Sequence, residues 1–422
     1  MTRFASIVVA LLIAASVLSA ANGSQDPAFS SIPFEQWLSQ ADQSHMRWTA
    51  RVLDPQLSPH QRLAARVFVQ LDGRELARRR GKGQLLVLVQ VNDEKGLAWQ
   101  NHQEMDLEPV EEGIKANDAI FSQSFFVLPG DYRVAIAIYD TATREHSIAK
   151  RRLHVAGLRN DSLAGAWSDL PPVEFIPVEK PPDSWYLPSI DTRLRLMAET
   201  REPSHIDLIV NLTPSERFTG SSRVQNRNMG ALLPAMKVLS HIEWRNAKFG
   251  LALLDLARRR VTWNQEGPQT LDWEKARASL GEVQPGLIDV KSLENRTQSA
   301  QFFVGEVGRR LRARKKQEIM IVLSSPVEFE PGQDMRPIEL DSSLGARVYY
   351  IRYQPFPPIY IGRANPRSRM TMPDGSRPPQ GQYVIDQLAP LLKPLEPRLF
   401  EVSTPEQFRK VLALILAEIA KV

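Results

Sequence analysis

Residues 206–215 read IDLIVNLTPS, from Ile206 through Asn211 to Thr213, Pro214 and Ser215. The first seven are a nearly continuous apolar run with a single charge, Asp207, near its start. A strand that is apolar on both faces belongs in the middle of a covered, parallel sheet. The run ends in a polar turn, and in doubly wound sheets ligands bind outside the carboxyl ends of the strands.

Working outward, the same rhythm continues to the C-terminus. Leu232, Met236 and Leu239 recur at helical spacing over 231–242, with Pro234 expected in the first turn, where its missing N–H is harmless. Strands are expected over 249–256, 318–323 and 346–353, with 260–263 pairing back on the first of these. Helices are expected over 273–283 and after Ser299, which can cap a helix whose face is Ala300, Val304, Val307 and Leu311. At the end, Thr404 as N-cap, Pro405 at N1 and Gln407 at N3 form a capping box, and Phe408, Leu412, Ile415 and Ile419 give a core-facing stripe. Apolar strands alternating with helices predict an α/β, doubly wound domain over 203–422. The Pro-, Gly- and Arg-rich stretch 356–382, with Arg363, Arg367, Arg369 and Arg377, reads as a surface insertion.

Upstream the period changes to two. Short strands are expected over 46–53, 65–71, 84–91, 118–127, 132–139 and 148–155, separated by Gly, Pro and Asp turns. The segments 118–127 and 132–139 read as a hairpin through Leu128-Pro129-Gly130-Asp131. Such spacing predicts an antiparallel, Ig-like β-sandwich over 24–156. Phe34, Trp37 and Leu38 suggest a short helix before it, and the proline-rich stretch 157–202 reads as a linker with an edge strand. The chain is therefore expected to be multidomain.

The first 23 residues carry Arg3, an apolar core from Ile7 to Leu18 and then small residues. This is the pattern of a signal peptide cleaved after Ala21 or Gly23. An uncleaved anchor is the alternative, but the core is shorter than the ~20 residues a bilayer needs. The mature protein is thus expected to be exported, periplasmic or extracellular, with no stable membrane span after cleavage. The absence of Cys removes disulfides, thiolate metal sites and Cys nucleophiles.

A net charge of +5 over 422 residues is too mild to imply nucleic acid. The basic runs Arg78-Arg79-Arg80, Arg258-Arg259-Arg260 and 309–316 lack interleaved aromatics and read as solvated faces. Neither a G-x-S-x-G elbow, a phosphate loop, an H-E-x-x-H pair nor a dinucleotide-binding G-x-G-x-x-G is present, and the seven His are scattered. No catalytic residues are assigned, and the chain is expected not to be an enzyme.

The order of elements from residue 203 and the motif Asn211-Leu212-Thr213-Pro214-Ser215 resemble the von Willebrand factor A-type (VWA-like) domain, and the whole chain resembles bacterial exported proteins carrying one. That resemblance implies a divalent-metal site made by D-x-S-x-S after the first strand, a Thr from a later loop and an Asp after the fourth strand. Here Asn211 stands at the first Asp, and Thr213 and Ser215 supply the hydroxyls. Thr297 is the counterpart of the loop Thr, and Ser324-Ser325-Pro326 replaces the run with the second Asp. With both carboxylates replaced by neutral oxygens, a hard cation such as Mg²⁺ or Mn²⁺ loses most of its attraction. No cofactor is therefore expected. Glu216, Asp334 and Asp341 are the carboxylates considered as substitutes.

The residues expected to touch a ligand are Asn211, Thr213, Ser215, Thr297, Ser324 and Ser325. Turn capping is the competing explanation for the polar residues after the strand. The expected work is protein–protein binding; the rivals are metal-dependent adhesion, a spacer role, and a hydrolase whose site assembles only in space.

Overall fold

The computed structural model describes residues 24–39, 46–177, 193–212, 222–266, 275–276, 278–279, 298–313, 318–329, 331–339, 345–354 and 385–422, with side chains of the 222–266 segment described from residue 228. The expected signal peptide, most of the 157–202 linker's second half, the expected helix 273–283 apart from four residues, and the Arg-rich insertion lie outside the described residues. The chain forms two compact units, divided between Leu194 and Arg195.

The first unit opens with two short helices, α1 (Pro27–Ser30) and α2 (Phe34–Ser39), followed by β1 (Trp48–Leu57) and β2 (Leu63–Leu71). Next come helix α3 (Gly73–Arg79) and strands β3 (Gln84–Asn92), β4 (Ala98–Asp106), β5 (Ala119–Val127), β6 (Gly130–Asp140), β7 (His146–Val155) and β8 (Val173–Phe175). They make two antiparallel four-stranded sheets, ordered β1-β2-β5-β8 and β4-β3-β6-β7. β5 and β6 therefore do not form the expected hairpin. They belong to different sheets, and the Leu128–Pro129 corner carries the chain from one to the other, where the Tyr132 hydroxyl donates to the Leu128 carbonyl at 3.0 Å.

Side chains alternate accordingly. Val87, Val89, Val134, Ile136 and Ile138 are fully buried on one face of their sheet. Gln123 of β5 reaches across, donating to the Val87 carbonyl at 3.0 Å and accepting from Asn101 at 3.2 Å. The opposite face of β6, only half polar in sequence, carries Ala135 and Ala137. It is covered by Phe29, Phe34 and Trp37 of α1 and α2, packed on Leu86, Leu88 and Ile148. β4 was not expected, because AWQNHQEMD is an edge strand largely open to water and shows no apolar period.

The basic run at 78–80 is not a solvated face throughout. Asp72 caps α3, accepting from Arg74 N at 2.7 Å, where a turn was expected. The helix aims Arg79 inward, pairing it with Glu75 at 3.1 Å, Asp140 at 2.8 Å and Glu145 at 2.5 Å. Burial raises the Asp140 carboxyl, but the Arg79 hydrogen bond and the Thr143 and Ala142 N–H groups outweigh it and hold it below its ordinary value.

The second unit contains β9 (Met197–Asn211), α4 (Ser222–Ser240), β10 (Glu243–Asp255), β11 (Arg260–Glu266), α5 (Ser299–Ala313), β12 (Glu318–Ser324), β13 (Arg347–Tyr353), α6 (Leu388–Leu392), β14 (Arg398–Val402) and α7 (Pro405–Ile419). The sheet order is β11-β10-β9-β12-β13-β14. All pairs are parallel except the β10–β11 hairpin at the edge. Numbered within the unit, the order is 3-2-1-4-5-6, and the chain reverses direction of winding between β9 and β12.

Helices cover both faces. Ile209, Ala252, Met320, Val322 and Tyr350 pack against Phe303, Val307 and Leu311 of α5 and Leu391 of α6. On the other face Tyr353 stacks on Phe408 of α7 at 5.7 Å. α7 starts as expected. Thr404 accepts from Gln407 N at 3.3 Å, Gln407 Oε1 accepts from Ser403 N at 2.7 Å, and Phe408, Leu412, Ile415 and Ile419 are fully buried.

Two helix starts differ from expectation. α4 begins nine residues before Ala231, so Pro234 lies in its interior rather than its first turn. At α5 Ser299 is the first helical residue and not the cap before it, and the Ala300 N–H donates to Gln333 Oε1 at 3.1 Å, from outside the helix. In the 309–316 run Arg310 is buried, 3.5 Å from Asp207 Oδ1 and bonded to Asn264, while Arg309 stays at the surface with Glu306. Here too a basic run divides between core and solvent.

Candidate functional site at the sheet reversal

The C-terminal ends of β9 and β12 lie side by side, because the two strands are hydrogen-bonded neighbours in register. This is the reversal point of a 3-2-1-4-5-6 sheet, where such folds bind ligands. Asn211 ends β9 and Ser324 ends β12. Asn211 Nδ2 donates to Ser324 Oγ at 2.9 Å. Ser324 Oγ in turn donates to the Ser325 carbonyl at 2.6 Å, and Ser325 Oγ donates to the Tyr353 carbonyl at 3.1 Å at the end of β13. All three side chains are buried. Three of the six expected ligand residues are thus brought together, in a chain of hydrogen bonds across three strand ends. Thr213, Ser215 and Thr297 lie outside the described residues.

A second set of bonds at this end of the sheet involves residues that were not expected. Tyr350 is fully buried on β13, and its hydroxyl donates to Asp386 at 3.0 and 3.2 Å. Asp386 also accepts from the Val327 and Leu388 N–H groups, each at 3.3 Å, and lies 3.5 Å from the Arg352 guanidinium. Arg352 bonds in addition to Glu401 on β14. Burial pushes the Asp386 carboxyl above its ordinary value, against the pull of these hydrogen bonds and of Arg352. Burial and the neighbouring Asp386 charge push the Tyr350 hydroxyl well above its own.

Asp386 is therefore a buried carboxylate at this end of the sheet that the sequence reading did not name. Asp334 is held elsewhere, by Arg336 at 2.6 Å; Glu216 and Asp341 lie outside the described residues. One signal pointed to Asp386: an Asp two residues before Leu388, Leu391 and Leu392 is a helix-start pattern. Nothing in the sequence alone places that helix start beside Ser324.

Chemically, the cluster is saturated. A serine that would attack a substrate needs its hydroxyl proton directed to a base. Ser324 and Ser325 direct theirs to backbone carbonyls. A carboxylate that would hold a hard cation must turn oxygens toward it. Those of Asp386 already accept from Tyr350 and two backbone N–H groups.

A scan against protein-family models finds no match, and a search of curated proteins finds none either. Among solved structures the chain is similar to protein BatB from Bacteroides thetaiotaomicron, at 12% identity and a TM-score of 0.27, over 51% of this chain and 98% of that one. It is also similar to the ApaA protein from Bordetella pertussis, at 12% identity and a TM-score of 0.15, over 27% of this chain and 97% of that one. Neither superposition is close enough to assign a fold. Among the described residues no helix is long and apolar enough to cross a membrane.

Proposed function

We propose that this chain is an exported, non-enzymatic binding or scaffold protein, in which an Ig-like sandwich precedes a degenerate VWA-like domain that captures a protein partner without a metal ion. The observation that carries the reading is the Asn211–Ser324 hydrogen bond at the sheet reversal. A neutral amide occupies the position of the family's first carboxylate and is tied to a neutral hydroxyl in the position of its second. The 3-2-1-4-5-6 strand order supports the doubly wound assignment. The Tyr132–Leu128 bond at the inter-sheet corner supports the Ig-like one, since a tyrosine bonded to backbone a few residues upstream recurs in such sandwiches.

Specificity in this reading comes from Thr213 and Ser215, which follow β9 in sequence, and the buried network fixes the strand ends. The test is the double variant Thr213→Ala/Ser215→Ala. Capture of a partner from envelope extracts is expected to fall while the melting temperature stays unchanged. Unchanged capture would remove Thr213 and Ser215 from the proposed binding residues.

A second reading is favoured by one observation. Asp386 places a carboxylate within one hydrogen bond of Tyr350 at this same end, so metal-dependent adhesion through a rebuilt site would use Asp386. Sensitivity of capture to EDTA, lost in Asp386→Asn, would identify that case.

A further inference from the structure

At the opposite end of the same sheet, the geometry points to a second site: His205, Asp207 and Glu318 form a buried pocket for one divalent ion of the zinc type. The register puts them there. Glu318 is the cross-strand partner of His205, and Asp207 lies two residues further along β9, so all three side chains leave the same face of the sheet. One nitrogen or oxygen from each lies within 4.8 Å of the other two, and His205 Nδ1 is 3.7 Å from Asp207 Oδ1. Ligands at ~2.0–2.2 Å around a tetrahedral ion stand roughly 3.3–3.6 Å apart. Small side-chain rotations would therefore close the three onto one ion.

Two independent features mark the place as built for something. Asp207 is fully buried, and its Oδ2 has no hydrogen-bond partner among the described residues. A buried carboxylate oxygen in that state calls for a missing ion or water. The second feature is Gly250, directly across from Asp207 on β10. A Cβ there would stand 2.3 Å from Asp207 Oδ1 and 3.5 Å from His205 Cε1, so the absent side chain keeps the room that the carboxylate occupies.

Arg310 is a competing cation at Asp207. Its guanidinium stands 3.5 Å from Asp207 Oδ1 and is shared with Asn264, which leaves Oδ2 for the ion. One imidazole nitrogen and two carboxylate oxygens, without a thiolate, form a donor set for Zn²⁺ and its borderline neighbours rather than for Mg²⁺, which prefers oxygen and water. A site this deep would fill as the domain folds, contributing to stability and not to turnover.

The test uses the full chain and zinc alone. Protein unfolded in EDTA is refolded with and without one equivalent of Zn²⁺, dialysed, and assayed for metal content and melting temperature. One zinc retained per chain and a raised melting temperature are expected. His205→Asn and Asp207→Asn should each weaken retention by a factor on the order of a hundred, at the upper end of what disturbing even an outer-shell partner costs. Co²⁺ in place of zinc should give the intense visible bands of a low-coordinate site. If Asp207→Asn does not fold, His205→Asn and Glu318→Gln decide. No retained zinc, or retention unchanged in a folded variant, would overturn the proposal.

Discussion

Replacing Asn211 by Asp restores the carboxylate that the family resemblance implies, and the geometry around it sets the consequence. Asn211 is fully buried and donates to Ser324 Oγ at 2.9 Å. An ionised Asp cannot donate. It needs the Ser324 proton, which now goes to the Ser325 carbonyl. The variant therefore loses one buried hydrogen bond, about 1 kcal/mol, and places a charge in a desolvated position. Burial raises a carboxyl pKa, and each unit is worth ~1.4 kcal/mol. With a rise of one to three units the total at neutral pH is about 2–5 kcal/mol, or roughly 4–20 °C in melting temperature for a unit of this size.

Proton linkage sets the sign. A carboxyl whose folded pKa is raised binds more protons when folded, so its penalty is absent below the ordinary value near ~4, grows through the interval above it, and is complete above the folded pKa. The protonated acid can also donate to Ser324, as the amide does. Thermal melts of wild type and Asn211→Asp from pH 4 to pH 8 would show a gap that opens with rising pH. A gap of constant size, or none at pH 7, would refute the reasoning that Asn211 holds a neutral position in a closed network.

Three further outcomes are expected. Arg79→Met leaves Asp140 and Glu75 buried without their cation, costing about 3–5 kcal/mol in urea unfolding of the first unit. Because the Asp140 carboxyl is held low, its stabilisation is present above the ordinary carboxylate value and is lost as pH falls through the depressed one, and the variant should lack that acid-side loss. Gly250→Ala, by driving a Cβ into Asp207, should destabilise the second unit by about 1–3 kcal/mol; wild-type stability would mean that Asp207 can move aside. Asp386→Asn should gain on wild type as pH rises from 4 through the raised pKa of Asp386, since the amide escapes the cost of burying a charge; a difference independent of pH would show that the carboxyl titrates normally.

The elements with strong periods were legible in the sequence. The strand of residues 206–212 is legible as an unbroken apolar run buried on both faces, the stripe of α7 as apolar residues recurring at helical spacing, and its capping box as fixed cap chemistry. Partner choice between strands was not legible. The corner at Pro129 looks like a hairpin turn, and only the pairing of β5 with β2 and of β6 with β3 shows that it joins two sheets. The same limit applies to charge. Arg79 and Arg310 sit in basic runs that read as surface, yet each is buried against carboxylates far away in sequence. At the candidate site, Asn211 and Ser324 could be named from the ends of apolar runs. Tyr350 and Asp386 could not, since their roles depend on two strand ends and a helix start meeting across the sheet.

A calorimetric titration of Mg²⁺ into the EDTA-stripped chain, with a thermal melt in the presence and absence of the ion, tests the metal-free reading of the strand ends most directly. No heat of binding and no shift in melting temperature are expected, because Asn211 is bonded to Ser324, Ser324 to a backbone carbonyl, and Asp386 to Tyr350 and two backbone N–H groups. Saturable Mg²⁺ binding that raises the melting temperature and disappears in Asp386→Asn would contradict that reading, and would make the strand ends a working metal site.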